Sequence, residues 1–251
     1  MPANRMGNNL VLPDNEEHYL NLKNSYDEVG KRTWQHDDFV ESSLETSRIL
    51  FTDESLRVRK PKPKDLEVYA LLSGLPFGKE FSNKLLTIQQ NISSILDNTA
   101  HYWVLPPNFG VEYCVFKWPD DNWNESWLPI IQQELSSLNY PSFRFTIRGI
   151  QINPDGCIIA KGYDEGVIFG IRDRLKNNLE FLPKKQSGWA HIPIGRILEP
   201  LGSSRFSKLK NMIGELSNLV LATDKIKTIK LVHETRWYME NKSILRELEL
   251  Y

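Results

Sequence analysis

The sequence predicts an α+β fold with mainly antiparallel sheets and flanking helices. Short segments that alternate apolar and polar residues recur along the chain, as half-buried strands do. Amphipathic helical stretches are interspersed among them without the regular alternation of a doubly wound parallel sheet. Turn segments rich in proline, glycine and aspartate punctuate the pattern. The 251 residues suffice for one large domain or two small lobes sharing an interface.

Residues 1 to about 60 are polar, charged and weakly periodic, and read as loosely organised with a helical turn over 42–48. Pro61-Lys62-Pro63-Lys64 reads as a stiff, charged linker. The expected division is an N-terminal extension or strap over 1–64 and a main body over 65–251. The extension is a tail, a partner-binding arm or a strap packed over the body. Residues 66–72 form the first strand candidate, broken by Ser73-Gly74-Leu75-Pro76. Over 81–97, Phe81, Leu85, Ile88, Ile92 and Ile95 recur at helical spacing. A short apolar run at 102–105 ends at Pro106-Pro107, and a strand over 111–118 ends at Pro119. A helix is expected over 125–138. Residues 143–150 alternate strictly and give the clearest half-buried strand. Asn153-Pro154-Asp155-Gly156 turns the chain into a strand at 157–160. A strand at 167–169 is expected to feed a helix over 170–180. The strand bearing His191 follows, then a helix over 206–219, a strand over 226–232, and closing strands or a hairpin at 235–239 and 244–250.

Composition excludes several classes. Hydrophobic residues make up 40% and charged residues 25%, with a formal net charge of -1. No global field draws the protein to nucleic acid or to an acidic membrane surface. Cys114 and Cys157 sit in strand-like segments and read as buried thiols. No closely spaced Cys/His cluster suggests zinc, so neither metal nor cofactor is expected. The start, Met1-Pro2-Ala3-Asn4-Arg5, lacks the apolar run of a signal peptide, and no segment is long enough to span a bilayer. The expected location is the cytoplasm. P-loop, dinucleotide, zincin and nucleophile-elbow signatures are absent.

The informative stretch is Gly188-Trp189-Ala190-His191-Ile192-Pro193-Ile194-Gly195-Arg196-Ile197. It puts a histidine in a short apolar strand, followed by glycine and arginine. His191-Ile192-Pro193-Ile194-Gly195-Arg196 resembles the second motif of the 2H phosphoesterase superfamily, the group that includes RNA 2',3'-cyclic phosphodiesterases and 2'-5' RNA ligase-like proteins. The segment 143–180 and the tail from Lys225 to Tyr238 fit the same plan, so the resemblance covers residues 66–251. It implies a bilobal α+β fold, two His-x-Thr/Ser strands, and in-line attack on a cyclic phosphate with one histidine as base and the other as acid. Here Pro193 stands in the hydroxyl position. The first motif falls on 113–116, with Tyr113 in the histidine position and Val115 in the hydroxyl position.

The chemistry explains what this departure costs. Two histidines can each carry one proton transfer near pH 7. Hydroxyl donors hold charge that grows on the phosphate. His191 can supply one role, and it reads equally as a hydrogen-bonded core residue or a phosphate ligand. Tyr113 is the catalytic candidate opposite it, but a phenol with a pKa near 10 is a poor base. Its alternative is a packing aromatic. Arg196 is a candidate phosphate ligand. It would point away from His191 in an unbroken strand, unless the chain bends at Gly195. Trp189, two residues before His191, shares its face and is a candidate pocket wall. Arg144 and Arg148 point one way from their strand, toward solvent or toward an anion. Trp118, Trp123 and Trp127 are candidates for stacking or for covering a core edge. His101 and His233 are candidate replacements for the missing histidine.

Three functions fit these residues. The leading one is a divergent 2H-like protein that binds a nucleotide, RNA end or other phosphorylated ligand with classical two-histidine activity lost or impaired. The second is an atypical cyclic phosphodiesterase. The third is a non-catalytic protein-interaction module, with a protein partner held through the N-terminal extension. Whether the chain is an enzyme stays open on sequence alone.

Overall fold

The computed structural model describes residues 15–251. The Met1-Pro2-Ala3-Asn4-Arg5 start lies outside the described residues. Among the described residues three helices precede the first strand: α1 (Asn15–Thr33), α2 (Glu41–Arg48) and α3 (Asp53–Arg57). The body runs β1 (Asp65–Gly74), α4 (Lys79–Ser93), β2 (His101–Trp103), β3 (Gly110–Lys117), α5 (Trp127–Ser136), β4 (Phe143–Ile152), β5 (Cys157–Tyr163), α6 (Val167–Asn178), β6 (Ile192–Ile197), α7 (Ser203–Leu216), β7 (Val220–Ile226), β8 (Thr228–Arg236) and β9 (Asn241–Glu249).

Every strand pair is antiparallel. The first sheet has the order β3-β1-β8-β9 and the second β2-β6-β5-β4-β7. Helices α5 and α6 pack on the first sheet, while α4 and α7 pack on the second. The large core forms between those helices and the inner faces of both sheets. It includes Leu71, Tyr113 and Leu231 from the first sheet and Phe145, Ile158 and Ile194 from the second.

The alternation expected over 143–150 is observed, with Phe143, Phe145 and Ile147 in the core. The stripe of the first amphipathic helix is observed for Phe81, Leu85, Ile88 and Ile92, which are buried, while the helix ends at Ser93 and leaves Ile95 in the turn beyond it. Two local expectations are corrected. Residues 167–169 form the first turn of α6 and not a strand, because Asp164 accepts the Ile168 amide at 2.8 Å and caps the helix. Residues 235–239 are not a separate strand. β8 continues to Arg236 and turns directly into β9.

The stretch before residue 60 is more ordered than its composition predicts. Helix α1 lies on the second sheet, on the face opposite α4 and α7, where Leu22 and Tyr26 pack against Cys157, Ile159, Tyr163 and Trp189. The Tyr26 hydroxyl donates to the Gly162 carbonyl at 3.3 Å and accepts the Ala190 amide at 3.2 Å. It therefore bridges β5 and the approach to β6 just past the paired Ala160 and Ile192. Thr33 Oγ1 donates to the Ile152 carbonyl at 2.6 Å.

Gly162 is required at this junction. A Cβ there would lie 1.9 Å from the Ala190 carbonyl oxygen and 2.3 Å from the Phe145 ring. Gly162→Ala is expected to destabilise the protein by about 3 kcal/mol, the upper range for overpacking against a fixed backbone. A urea melt checks this, and an unchanged midpoint would contradict the close approach.

Candidate functional site

His191 immediately precedes β6, and its position is set by an irregularity in that strand. Gly195 pairs with Ile158, but Pro193 pairs with Ile159, so Ile194 has no partner of its own on β5. The extra residue shifts the alternation. Ile192, Ile194 and Ile197 turn into the core. His191, Pro193 and Arg196 are half-buried on the other face, where Arg196 pairs with Cys157 beneath the N-terminal helices. The bend at Gly195 thus brings Arg196 to the His191 side. Gly195 admits no side chain, since a Cβ there would lie 2.4 Å from the Trp103 ring.

Two guanidinium groups set the electrostatics of His191. Arg172, on α6, is 1% exposed. Its Nε donates to the Tyr113 carbonyl at 2.6 Å, and its Nη2 to the carbonyls of Glu112 at 3.1 Å and Trp189 at 2.9 Å. It thereby ties α6 to β3 and to the segment entering β6. Arg196 Nη1 donates to Asp155 Oδ2 at 2.8 Å and also to the Ser47 hydroxyl of α2. Burial, then the charges of Arg172 and Arg196, push the His191 imidazole down to about 4, so it is neutral at pH 7.

His191 Nδ1 and Arg172 Nη1 are buried without a hydrogen-bond partner, and the Tyr238 hydroxyl lies against the Arg196 guanidinium. Tyr238 belongs to the β8–β9 turn and has a left-handed backbone, with φ 64°. Its ring lies 5.9 Å beneath the Arg196 guanidinium and 4.9 Å from Tyr102.

Trp189 meets His191 edge-to-face at 5.6 Å. Its Nε1 donates to Ser25 Oγ at 2.7 Å, so α1 covers it. Tyr113 lies elsewhere. It is fully buried in the large core, and its hydroxyl shares a 2.8 Å hydrogen bond with Ser73 Oγ. Burial holds its phenol far above the ordinary range. It is a packing aromatic and does not face His191. The residue on the other face of β3 is Glu112, which pairs with Leu72. A register shift between Leu71 and Leu72 changes which β3 residues face which way. Val115 packs in a small apolar cluster with Ala70, Leu72 and Val232.

Arg148 and Arg144 share the α1 face of the second sheet. The Arg148 guanidinium lies 5.5 Å above the Tyr19 ring of α1. Arg144 is exposed and pairs with Lys225. It lines a recess of about 450 Å³ with Glu165, Thr223 and Asp224, which does not include His191. The two candidate replacement histidines are engaged by their own neighbours. His101 Nδ1 lies 2.7 Å from the Thr99 carbonyl. His233 stacks on Tyr69 at 4.4 Å and pairs with Glu67 at 3.3 Å. Trp123 covers the other face of Tyr69, Trp127 stacks on Phe181, and Trp118 donates to the Lys185 carbonyl.

The first sheet contributes two perturbed carboxyls. Burial pushes Glu112 up to about 7, with Arg172 opposing, and pushes Glu234 up to about 7, with the Met239 amide opposing and Glu112 adding. A folded-state value above the ordinary 4.5 means the native protein binds the proton more tightly than the unfolded chain. That stability is present below pH 4.5 and is lost as pH rises through 7. His191 has the opposite sign, since stability is lost as pH falls from 6.5 to 4. The double variant Glu112→Gln, Glu234→Gln is expected to melt several degrees above the parent at pH 8.5 and level with it at pH 4. Calorimetry at both values checks this, and an equal Tm at pH 8.5 would contradict it.

Among the described residues no group of three or more His, Cys, Asp and Glu is arranged to hold a metal ion, and no helix is long and apolar enough to cross a membrane. No protein-family model and no curated protein matches the sequence. Solved structures do match. TT0787 of Thermus thermophilus superposes with a TM-score of 0.52 at 16% identity, over 73% of this chain and 97% of that one. LigT of E. coli complexed with phosphate gives 0.49 at 10% identity, over 74% and 99%, and its complex with ATP gives 0.48. The chain shares its α+β fold, two antiparallel sheets with flanking helices, with TT0787.

Proposed function

We propose that this protein binds a phosphoryl group of a nucleotide, RNA end or phosphorylated small molecule at His191, without two-histidine cleavage of the ester. One observation carries the reading. A neutral imidazole with an unpartnered Nδ1 lies in the field of the buried Arg172 guanidinium, whose Nη1 lacks a partner, and of the half-buried Arg196 guanidinium. Unpaired buried donors cost about 1–3 kcal/mol each, and a phosphoryl oxygen accepts from them in charge-assisted bonds.

The missing parts argue against the two-histidine mechanism. Tyr113 is turned into the core, and Pro193 offers neither hydroxyl nor amide donor. His191 titrates well below neutrality, so it cannot arrive protonated as an acid at pH 7. A second reading, an atypical cyclic phosphodiesterase, rests on Glu112. A carboxyl pushed up to about 7 beside Arg172 has the pKa of a general acid.

Titration calorimetry with orthophosphate tests the binding. The parent is expected to bind, and His191→Ala to bind about tenfold more weakly, the effect of one lost hydrogen bond to an anion. Equal affinities would refute the assignment of His191.

A further inference from the structure

The face that carries His191 also carries two cations beside it, Lys161 and Arg148, and α1 covers it. One step beyond the paired Ala160 and Ile192, the register sets Lys161 of β5 opposite His191. Ile147 pairs with Gly162 and Ile150 with Ala160, so Arg148 of β4 falls beside Lys161. His191, Lys161 and Arg148 thus run across three neighbouring strands, spaced about 4.8 Å apart. Helix α1 meets this row group by group. Its Tyr19 ring lies under Arg148, its Ser25 holds Trp189 beside His191, and its Asp27 carboxylate lies 3.5 Å from Lys161 Nζ.

We propose that α1 is an intramolecular competitor for this row, its Asp27 carboxylate standing where the second anionic group of a di- or oligophosphate ligand binds Lys161. The proposal rests on the phosphoryl-binding reading of His191 and extends it to the ligand's length and to regulation of the site. The Lys161 side chain is 3% exposed and that of Asp27 29%. Solvent therefore reaches the carboxylate before it reaches the ammonium. A buried cation left without its partner is strongly disfavoured, so α1 does not simply lift away. It is exchanged for another anion that takes the place of Asp27. An orthophosphate bound at His191 is expected to leave the Asp27–Lys161 pair, and with it α1, in place. A linear triphosphate bridges one strand spacing and displaces it. The coupling is reciprocal: whatever loosens Asp27 tightens the longer ligand. Asp27 is also held by Lys23 at 2.6 Å within α1, so the helix keeps an ion pair after leaving the sheet.

The test uses the full chain, with inorganic tripolyphosphate as probe and orthophosphate as control. Amide hydrogen exchange over residues 15–33 reads α1, and titration calorimetry reads affinity. Tripolyphosphate is expected to raise exchange in α1 about tenfold, and orthophosphate to leave it unchanged. Asp27→Asn is expected to tighten tripolyphosphate about tenfold without altering orthophosphate. Lys161→Met removes that gain, and it leaves Asp27 solvated and paired with Lys23, so the fold is retained. If tripolyphosphate leaves α1 protected, or Asp27→Asn changes both ligands alike, the proposal is overturned. If orthophosphate fails to bind while tripolyphosphate still releases α1 through Lys161, the reading of His191 fails and the exchange at Lys161 stands.

Discussion

Arg172→Met is expected to cost about 4 kcal/mol of stability, the largest effect of any single substitution considered. The side chain is buried in the core and donates to three backbone carbonyls on two separate segments, those of Tyr113, Glu112 and Trp189. Methionine fills much of the volume but leaves those acceptors unpaired, and each unpaired buried group costs about 1–3 kcal/mol. Removing the buried charge itself relieves some desolvation cost, which keeps the total below the sum. Arg172→Lys should recover little, because a single ammonium cannot reproduce the fork that spans β3 and Trp189. Chemical denaturation of both variants checks this. A loss under about 1 kcal/mol for Arg172→Met would mean that the guanidinium does not hold the two lobes in register.

Arg196→Met is expected to weaken orthophosphate binding about a hundredfold while the fold survives. The guanidinium supplies a charge-assisted donor and a full positive charge beside His191, and such bonds contribute about 1.5–3 kcal/mol. Its structural partner Asp155 has a side chain 32% exposed, so water solvates that carboxylate once the arginine is gone. Asp155→Asn gives the opposite sign. It frees Arg196 from a competing carboxylate and is expected to tighten orthophosphate. Calorimetry on both variants separates the effects, and weaker binding in Asp155→Asn would show that Arg196 needs its carboxylate to be held in place.

Much of the fold was legible because its strands alternate and its helices carry apolar stripes. The strand over 143–150 and the helix stripe from Phe81 to Ile92 follow directly from spacing. The His191 strand was legible from its motif, and the bend that returns Arg196 to the His191 side was foreshadowed by Gly195. Helix α1 was not legible. Its buried positions are Leu22, Tyr26, Gly30 and Thr33, so half of the stripe is a glycine and a hydroxyl that no apolar count registers. Gly30 faces the Gln151 side chain, which lies 2.9 Å from where its Cβ would be.

Arg172 was missed for the reverse reason. It reads as one charge among Arg172-Asp173-Arg174, yet it stands four residues after Ile168 and three before Leu175, on the buried stripe of α6. A cation at such a position is a signal of internal hydrogen bonding, and helical spacing would have found it. Tyr113 was placed opposite His191 because the resemblance put it in the histidine position of the first motif. The register shift between Leu71 and Leu72 is a property of the pairing with β1 and leaves no mark in the sequence of β3. The same limit hid Lys161, whose neighbours on the sheet come from pairing and whose counter-charge, Asp27, comes from a helix more than a hundred residues away in sequence.

The central claim is that the His191 site holds a phosphoryl group without cleaving its ester. Phosphorus NMR of the full chain with a 2',3'-cyclic mononucleotide at pH 7 tests both halves together. The cyclic phosphate resonance is expected to shift and broaden with added protein, His191→Ala to abolish the change, and no 2'- or 3'-monophosphate signal to grow in over hours. A monophosphate signal that grows with the parent and is lost in Glu112→Gln would contradict the account in favour of an atypical phosphodiesterase. An unperturbed cyclic resonance would contradict binding at His191 for this class of ligand.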